Sequence, residues 1–548
     1  MTDSFPLIPA TTVREWLNDT QELALFDVRE AGEFGEGHPF FAIPLPYSRL
    51  ELDAGRLAPR RSVRVVLIDD GADNDAVARR AATRLHALGY TRVSILQGGA
   101  RGWAEAGYTL FKGVNVPSKT FGELVEHAFG TPHLSAKELA QWQARGEPLV
   151  LLDGRTVEEH EKMTIPGAIS CPNGELPYRI GALAADPETP IVIHCAGRTR
   201  SIIGAQLLRS LGIPNRVIAQ ENGTQGWTLA GLKLEYRSTR RYPDAVEERA
   251  IADARKRAVE LAQRFGLASL DTRTGQAWLD APDRTTYLLD VRSAGEFARD
   301  GVPGAVHAPG GQLLQATDQT IGVRGARVLL VDHDRVRAPV IATWLVQLGF
   351  DAALIAEHHA RALRLTEGDA AIAPRGTDVD RVGVDGLRAL RGADGVHLID
   401  LRPSAAYRKG HPQGARWSIR PRLLDAFAGI DRSARIVLYA DASELALLAA
   451  LDLRDAGFVN VSVAEAGIDT FKQAGFALEA TPQTPPDRER IDYLFFVHDR
   501  HEGNLDSARA YLSWETGLIA QCAADELQHF RIAAQPPVSD TLSGLTHS

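Results

Sequence analysis

At 548 residues the chain is too long for one ordinary domain and implies three to five; an apolar share of 44% and a charged share of 24% fit folded units with sizeable cores. A net charge of -9 and a pI near 6.0 exclude a broad basic surface of the kind nucleic acids need, so no nucleic-acid partner is expected. No apolar run reaches the length of a membrane span, the opening MTDSFPLIPATTVREW lacks the parts of a secretory signal, and three cysteines cannot form a disulfide framework, so a reducing, cytoplasmic setting is expected.

The elements repeat along the chain. Each repeat opens on an apolar run ending in Asp-x-Arg: LFDVREAGEF (Asp27, Arg29), LLDGRTVEEH (Asp153, Arg155), LLDVRSAGEF (Asp290, Arg292) and LIDLRPSAAY (Asp400, Arg402). A glycine-containing turn follows, then a second apolar run: VRVVLIDD, TPIVIHC, ARVLLVDH and ARIVLYAD. A helical stretch ending in Leu-Gly or Ala-Gly comes next, and then a third β-like run. The first two repeats close on Gly-x-x-x-Trp, at Trp103 and Trp227. Short buried runs alternating with amphipathic helices predict parallel sheets covered by helices.

The spacing from the first Asp to the end of the second run is 43 residues in repeat one (Asp27 to Asp70), 42 in repeat two (Asp153 to Cys195), 42 in repeat three (Asp290 to Asp332) and 40 in repeat four (Asp400 to Ala440). Cys195 thus takes the place that Asp70, Asp332 and Ala440 hold elsewhere. The expected boundaries are 8–115, 130–236, 268–365 and 378–480 for the repeats, with a connecting helix at 240–267 and a Pro-rich linker and helical tail at 481–548.

With Asp-x-Arg, the glycine turn, Cys195 after a central run and Gly-x-x-x-Trp, the repeat resembles the rhodanese domain. Four copies with one cysteine loop resemble the multidomain bacterial rhodanese-related sulfurtransferases. The resemblance implies an α/β unit with a mostly parallel five-stranded sheet and the cysteine on a loop at its C-terminal edge, where open α/β sheets place ligands. Many relatives have Gly-His before the Ile-x-Gly-Ala turn; here Met163-Thr164 stands there, a difference of turn geometry more than of chemistry.

In HCAGRTRS, Cys195 follows a strand and precedes a helix. Gly197 frees the backbone of the loop, so that the amides of Ala196, Gly197, Arg198, Thr199, Arg200 and Ser201 can form an anion nest at a helix N-terminus. With Arg198 and Arg200 they favour a thiolate, the nucleophile for group transfer. A cysteine-dependent phosphatase places its Arg one residue later, where Ser201 stands; the shorter loop fits a persulfide rather than phosphate or arsenate. The expected reaction is therefore sulfane-sulfur transfer from thiosulfate through a Cys195 persulfide to a thiol, cyanide or a carrier protein, with Arg198 and Arg200 orienting the departing sulfite and no cofactor. A mercaptopyruvate-type donor and a persulfide-carrying or docking module are the alternatives, with a cysteine-dependent phosphatase or arsenate reductase behind them. Association into a homo-oligomer stays open.

Arg179 is a second candidate for the pocket mouth. Asp153 and Arg155 are expected to brace the loop, and His194 to pack rather than act as a base. Cys171 and Cys522 read as structural, with a resolving-thiol role for Cys171 as the alternative. In the tail, His498, His501, Glu502, Glu526 and His529 make only half of a di-metal pattern, and no metal is expected. The repeats without cysteine are expected to act as scaffold or to dock an acceptor.

Overall fold

The computed structural model describes residues 5–72, 76–364, 379–465, 467–499 and 504–532. It holds four five-stranded sheets, one per repeat, each ordered first-fifth-fourth-second-third along the chain. Their strands pair in parallel. Parallel strands covered on both faces need continuous apolar runs, and the central strands Leu23–Asp27 and Arg64–Ile68 are buried along their whole length. In the fourth repeat an extra antiparallel ribbon joins His411–Pro412 to Leu478–Glu479.

The chain divides into two compact units. One combines the first and fourth repeats (the described residues within 5–17, 24–114 and 379–495), and the other combines the second and third with the tail (the described residues within 18–23, 115–364 and 496–532). In the first unit the buried Arg420 ties the repeats together by donating to Glu51 at 2.6 and 2.8 Å and to Asp452 at 2.9 Å.

In the second unit, α1 (Val116–Phe129) leads into the second repeat: β1 (His133–Leu134), α2 (Ala136–Ala144), β2 (Val150–Asp153), α3 (Val157–Lys162), β3 (Ile169–Ser170), α4 (Leu176–Leu183), β4 (Ile191–His194), α5 (Thr199–Ser210), β5 (Val217–Gln220) and α6 (Gly223–Leu229). α5 is buried on nearly every side because β4 and β5 lie beneath it and α1 and α4 flank it.

The connecting helix α7 is shorter than the charged, Ala-rich stretch suggests, spanning Glu248–Arg264. The chain before it runs extended along the sheet edge: Ser170 N–H donates to Arg240 O at 3.0 Å and Tyr242 N–H to Ser170 O at 3.0 Å. α7 packs on α4 and on the third repeat's helix Arg337–Gln347.

The described part of the tail is broken into short helices: a turn at Phe495–His498, then α8 (Leu505–Thr516), α9 (Leu518–Gln521) and α10 (Ala524–Leu527). Asn504 caps α8 by accepting from the amides of Asp506 and Ser507 at 3.1 Å each. No helix among the described residues is long and apolar enough to cross a membrane.

Candidate active site

Cys195 follows β4 directly, and the loop to α5 is three residues long, Ala196 to Arg198. The first turn of α6 clamps this loop from the side. Thr224 N–H donates to Cys195 O at 2.8 Å and Gln225 N–H to Ala196 O at 3.1 Å. The approach requires Gly223, which has φ +55° and on which a Cβ would stand 2.2 Å from Cys195 O. The Gly-x-x-x-Trp signature is thus a loop clamp, anchored behind by Trp227, whose indole N–H donates to Lys233 O at 3.0 Å. The thiol is almost fully buried, 3.7 Å from the Ser201 hydroxyl, which in turn donates to Arg198 O at 2.7 Å.

A brace lies beneath the loop. Arg155 holds the Asp153 carboxylate through its Nε at 2.9 Å and a guanidinium N–H at 2.7 Å. Thr164 donates to the same carboxylate at 2.9 Å, and His160 Nδ1 lies 3.1 Å from it. Burial works to raise this carboxyl, but the charge of Arg155 and the bonds from Arg155 and His160 hold it well below the usual range. Burial pushes His194 down to about 4, so it is neutral at pH 7. It sits against Thr164 at 3.3 Å, packed at the strand end. The Asp-Arg pair recurs at 2.5–2.7 Å in the other repeats, as Asp27–Arg29, Asp290–Arg292 and Asp400–Arg402.

The two loop arginines face carboxylates of this chain. Arg198 donates to Glu123 of α1 at 2.8 and 3.0 Å and also pairs with Glu126. Arg200 donates to Glu159 of α3 at 2.6 and 2.8 Å. Although burial opposes it, this pairing raises the Arg200 guanidinium and lowers Glu159 to about 2. Both arginines thus hold the loop between α1 and α3 through these carboxylates; the sequence led to the expectation that they orient a departing sulfite.

Arg179 also lies elsewhere than the pocket mouth. It is buried on α4, donating to Glu175 at 3.1 Å and to the carbonyls of Pro243 and Asp244 at 3.0 and 2.7 Å, so it anchors the stretch that leads to α7. Burial pushes the Cys171 thiol well up and the Cys522 thiol up to about 12, which keeps both protonated.

The structure adds residues that no motif announces. α8 crosses the cysteine loop and contributes Tyr511 and Glu515, both buried. Thr199 Oγ1 donates to Glu515 Oε1 at 2.7 Å. A Cβ built on Gly197 would stand 2.9 Å from Glu515 Oε2, 3.5 Å from Gln225 Nε2 and 3.7 Å from Tyr511 Cε1. Lys119 of α1 reaches the same place, bonding the Tyr511 hydroxyl and lying 3.4 Å from Glu515 Oε1. The side-chain amide of Gln225 is buried with no hydrogen-bond partner for either atom among the described residues.

In the third repeat Asp332 stands in the place of Cys195, because Val291 N–H donates to Val331 O just as Gly154 N–H donates to His194 O. Its carboxylate accepts the amides of Arg335 (2.8 Å), Val336 (2.9 Å), Arg337 (2.7 Å) and Ala338 (3.0 Å). This strand-to-helix loop is therefore an anion cradle, filled here by the chain's own carboxylate. The same register corrects the first repeat. Val28 N–H donates to Ile68 O, so the counterpart of Cys195 is Asp69, not Asp70, and Asp69 accepts the amides of Gly71 at 2.9 Å and Ala78 at 3.0 Å. In the fourth repeat the counterpart is Ala440, as Leu401 N–H donates to Tyr439 O.

Among the described residues no group of three or more His, Cys, Asp or Glu is placed to hold a metal ion. Glu526 caps its own helix by accepting the Ala523 amide at 2.9 Å, and His529 Nε2 lies 3.3 Å from Asn18 Oδ1. His501 and Glu502 lie outside the described residues.

Sheet order, a cysteine at the strand-to-helix turn after β4 and the clamp on that turn define the class of this α/β domain. Comparison with known proteins gives this class its name. The rhodanese-like domain matches residues 9–106, 135–230, 274–358 and 384–474, and the chain belongs to the rhodanese family. It is similar to a thiosulfate sulfurtransferase from Pseudomonas aeruginosa of known crystal structure, at 39% identity and a TM-score of 0.88, over 96% of this chain and 100% of that one. Over 103 residues, 19% of this chain, it is 35% identical to the putative sulfur carrier protein YrkF of Bacillus subtilis (strain 168), and it spans 54% of that relative's length. The chain is thus a four-domain member of the rhodanese-type sulfurtransferases.

Proposed function

We propose that the chain moves a sulfane sulfur from thiosulfate, or a related anionic donor, to a thiophilic acceptor through a persulfide on Cys195. The observation that carries this reading is the cradle. In the third repeat the amides at this turn bind a carboxylate, and the second repeat places a cysteine where that carboxylate begins. The resemblance to the Pseudomonas aeruginosa thiosulfate sulfurtransferase supports the same chemistry.

In the first half-reaction the Cys195 thiolate attacks the outer sulfur of thiosulfate. A sulfur–sulfur bond forms to Cys195, the sulfur–sulfur bond within thiosulfate breaks, and sulfite leaves with the bonding pair. In the second, an acceptor nucleophile takes the terminal sulfur and the thiolate returns; with cyanide the product is thiocyanate. The amides of the Ala196–Ser201 turn and the N-terminus of α5 stabilise the negative terminal sulfur. Arg198 and Arg200 hold that turn in place through Glu123, Glu126 and Glu159. The two half-reactions predict ping-pong kinetics. Asp69, Asp332 and Ala440 form no persulfide, and the repeats that carry them serve as scaffold or acceptor-docking units. A reducing, cytoplasmic setting suits the free thiol.

The test is intact mass after brief exposure to thiosulfate, beside Cys195→Ser. A gain of about 32 Da on the wild type alone supports the reading. A gain that survives in Cys195→Ser moves the site to another cysteine, and no gain with a thiol that still alkylates removes thiosulfate as donor.

A further inference from the structure

Glu515 lies 320 residues beyond Cys195 in the sequence, yet its carboxylate rests on the cysteine loop. We infer that Glu515 is a specificity-determining residue of the Cys195 site, and that it disfavours dianionic sulfur donors relative to monoanionic donors carrying the same sulfane sulfur. The inference rests on the sulfur transfer proposed above and adds the charge of the preferred donor.

The placement comes first. One carboxylate oxygen accepts the Thr199 hydroxyl at 2.7 Å, and the other faces Gly197, where a single added carbon would lie 2.9 Å away. Glu515 is 1% exposed, so water screens it little. The second observation is where the cations point. Arg198 is answered by Glu123 and Glu126, Arg200 by Glu159, and Lys119 lies against Glu515 itself. A donor arriving at Gly197 therefore meets a carboxylate beside cations already engaged. The third is Gln225, whose buried amide borders the same glycine and offers a neutral hydrogen-bonding group. The cradle amides welcome one negative charge, on the transferred sulfur, while a second charge on the leaving group comes to lie near Glu515.

Thiosulfate and methanethiosulfonate separate charge from chemistry. In both, the Cys195 thiolate bonds to the outer sulfur and the donor's sulfur–sulfur bond breaks. The leaving groups are sulfite, with two negative charges, and methanesulfinate, with one. Coulomb repulsion scales with charge, so removing the Glu515 charge should change log kcat/KM for the dianion about twice as much as for the monoanion.

The experiment measures kcat/KM for both donors, with cyanide as acceptor, in the wild type, Glu515→Gln and Glu515→Asp, each checked for an unchanged melting temperature. Glu515→Gln is expected to raise kcat/KM for thiosulfate by about tenfold and for methanethiosulfonate by about threefold, chiefly through KM. Glu515→Asp is expected to keep the wild-type ratio between donors. An unchanged ratio in Glu515→Gln, with both donors still loading Cys195, overturns the inference and leaves the sulfurtransferase reading standing. Failure of the wild type to load sulfur from either donor overturns that reading instead. Should the Glu515 variants not fold, Lys119→Met supplies the answer: leaving Glu515 without its cation should depress thiosulfate turnover more than methanethiosulfonate turnover, and an equal effect on both overturns the inference.

Discussion

Asp332 occupies in the third repeat the position that Cys195 occupies in the second, and its carboxylate takes four amides of the turn and the helix start that follow it. The cradle that Cys195 is proposed to use for a charged sulfur is thereby seen with an anion in it. Burial pushes the Asp332 carboxyl up, while those bonds and Arg337 pull it down.

Replacing Asp332 by Ala leaves these buried N–H groups without their acceptor. The expected loss is about 1–3 kcal/mol of stability, read by urea denaturation. Sulfate should restore part of it by binding the emptied cradle, so the melting temperature of Asp332→Ala should rise with sulfate more than that of the wild type. An equal sulfate response in the two proteins would show that the loop grips a carboxylate only when it is tethered.

The Asp-Arg braces make a separate prediction. Asp153 and Arg155 are both almost completely buried, and the pair shares its carboxylate with Thr164 and His160. Asp153→Ala strands a buried guanidinium, at a cost of about 3–5 kcal/mol. The same change at Asp290, whose Arg292 also reaches Asp300 at 2.9 Å, should cost less. Paired denaturation curves check the order.

Much of this was legible in the sequence because it is local. Asp153 and Arg155 are two residues apart, so their pairing leaves a motif that survives in every repeat, and parallel sheets announce themselves as apolar runs. Distant partners leave no such trace. Arg198 shows its charge in the sequence, but the carboxylates that engage it, Glu123 and Glu126, sit more than 70 residues upstream on a helix outside the repeat. Arg179 likewise reads as an anion ligand until the carbonyls of Pro243 and Asp244 are found against it. Counting residues misplaced the first repeat's counterpart of Cys195 by one, because its loop is longer; only the hydrogen-bond register selects Asp69 over Asp70. Glu515 was out of reach altogether, since a docked helix in the tail does not show in its sequence which loop it covers.

Acid should weaken the second unit through His194. This residue is fully buried and is pushed down to about 4 from an ordinary value near 6.5, so the unfolded chain takes up its proton first as pH falls. Unfolded protein then binds more protons than folded protein between about 6.5 and 4, and stability falls with pH across that window. Glu159, lowered to about 2 by Arg200, adds a second loss between its ordinary value and about 2. Replacing His194 by Gln should flatten the upper window and leave the lower one. Denaturation midpoints at pH 7, 5.5 and 4 measure it, and an unchanged slope in His194→Gln would assign the acid sensitivity to other groups.

Gln225 yields a prediction in which stability and activity move in opposite directions. Its backbone N–H clamps the cysteine loop at Ala196 O, while its side-chain amide is buried beside Gly197 with neither atom bonded among the described residues. A residue kept for stability would not bury an unanswered amide, which costs about 1–3 kcal/mol. A residue that meets the donor or the departing group would have its partner only during turnover. Gln225→Leu keeps the backbone clamp and approximate volume while removing the polar atoms. The melting temperature should stay level or rise, and kcat/KM for sulfur transfer should fall by about tenfold, the size of one lost hydrogen bond. A fall in both would make Gln225 a structural residue whose partner forms in solution; unchanged turnover with higher stability would remove it from the site.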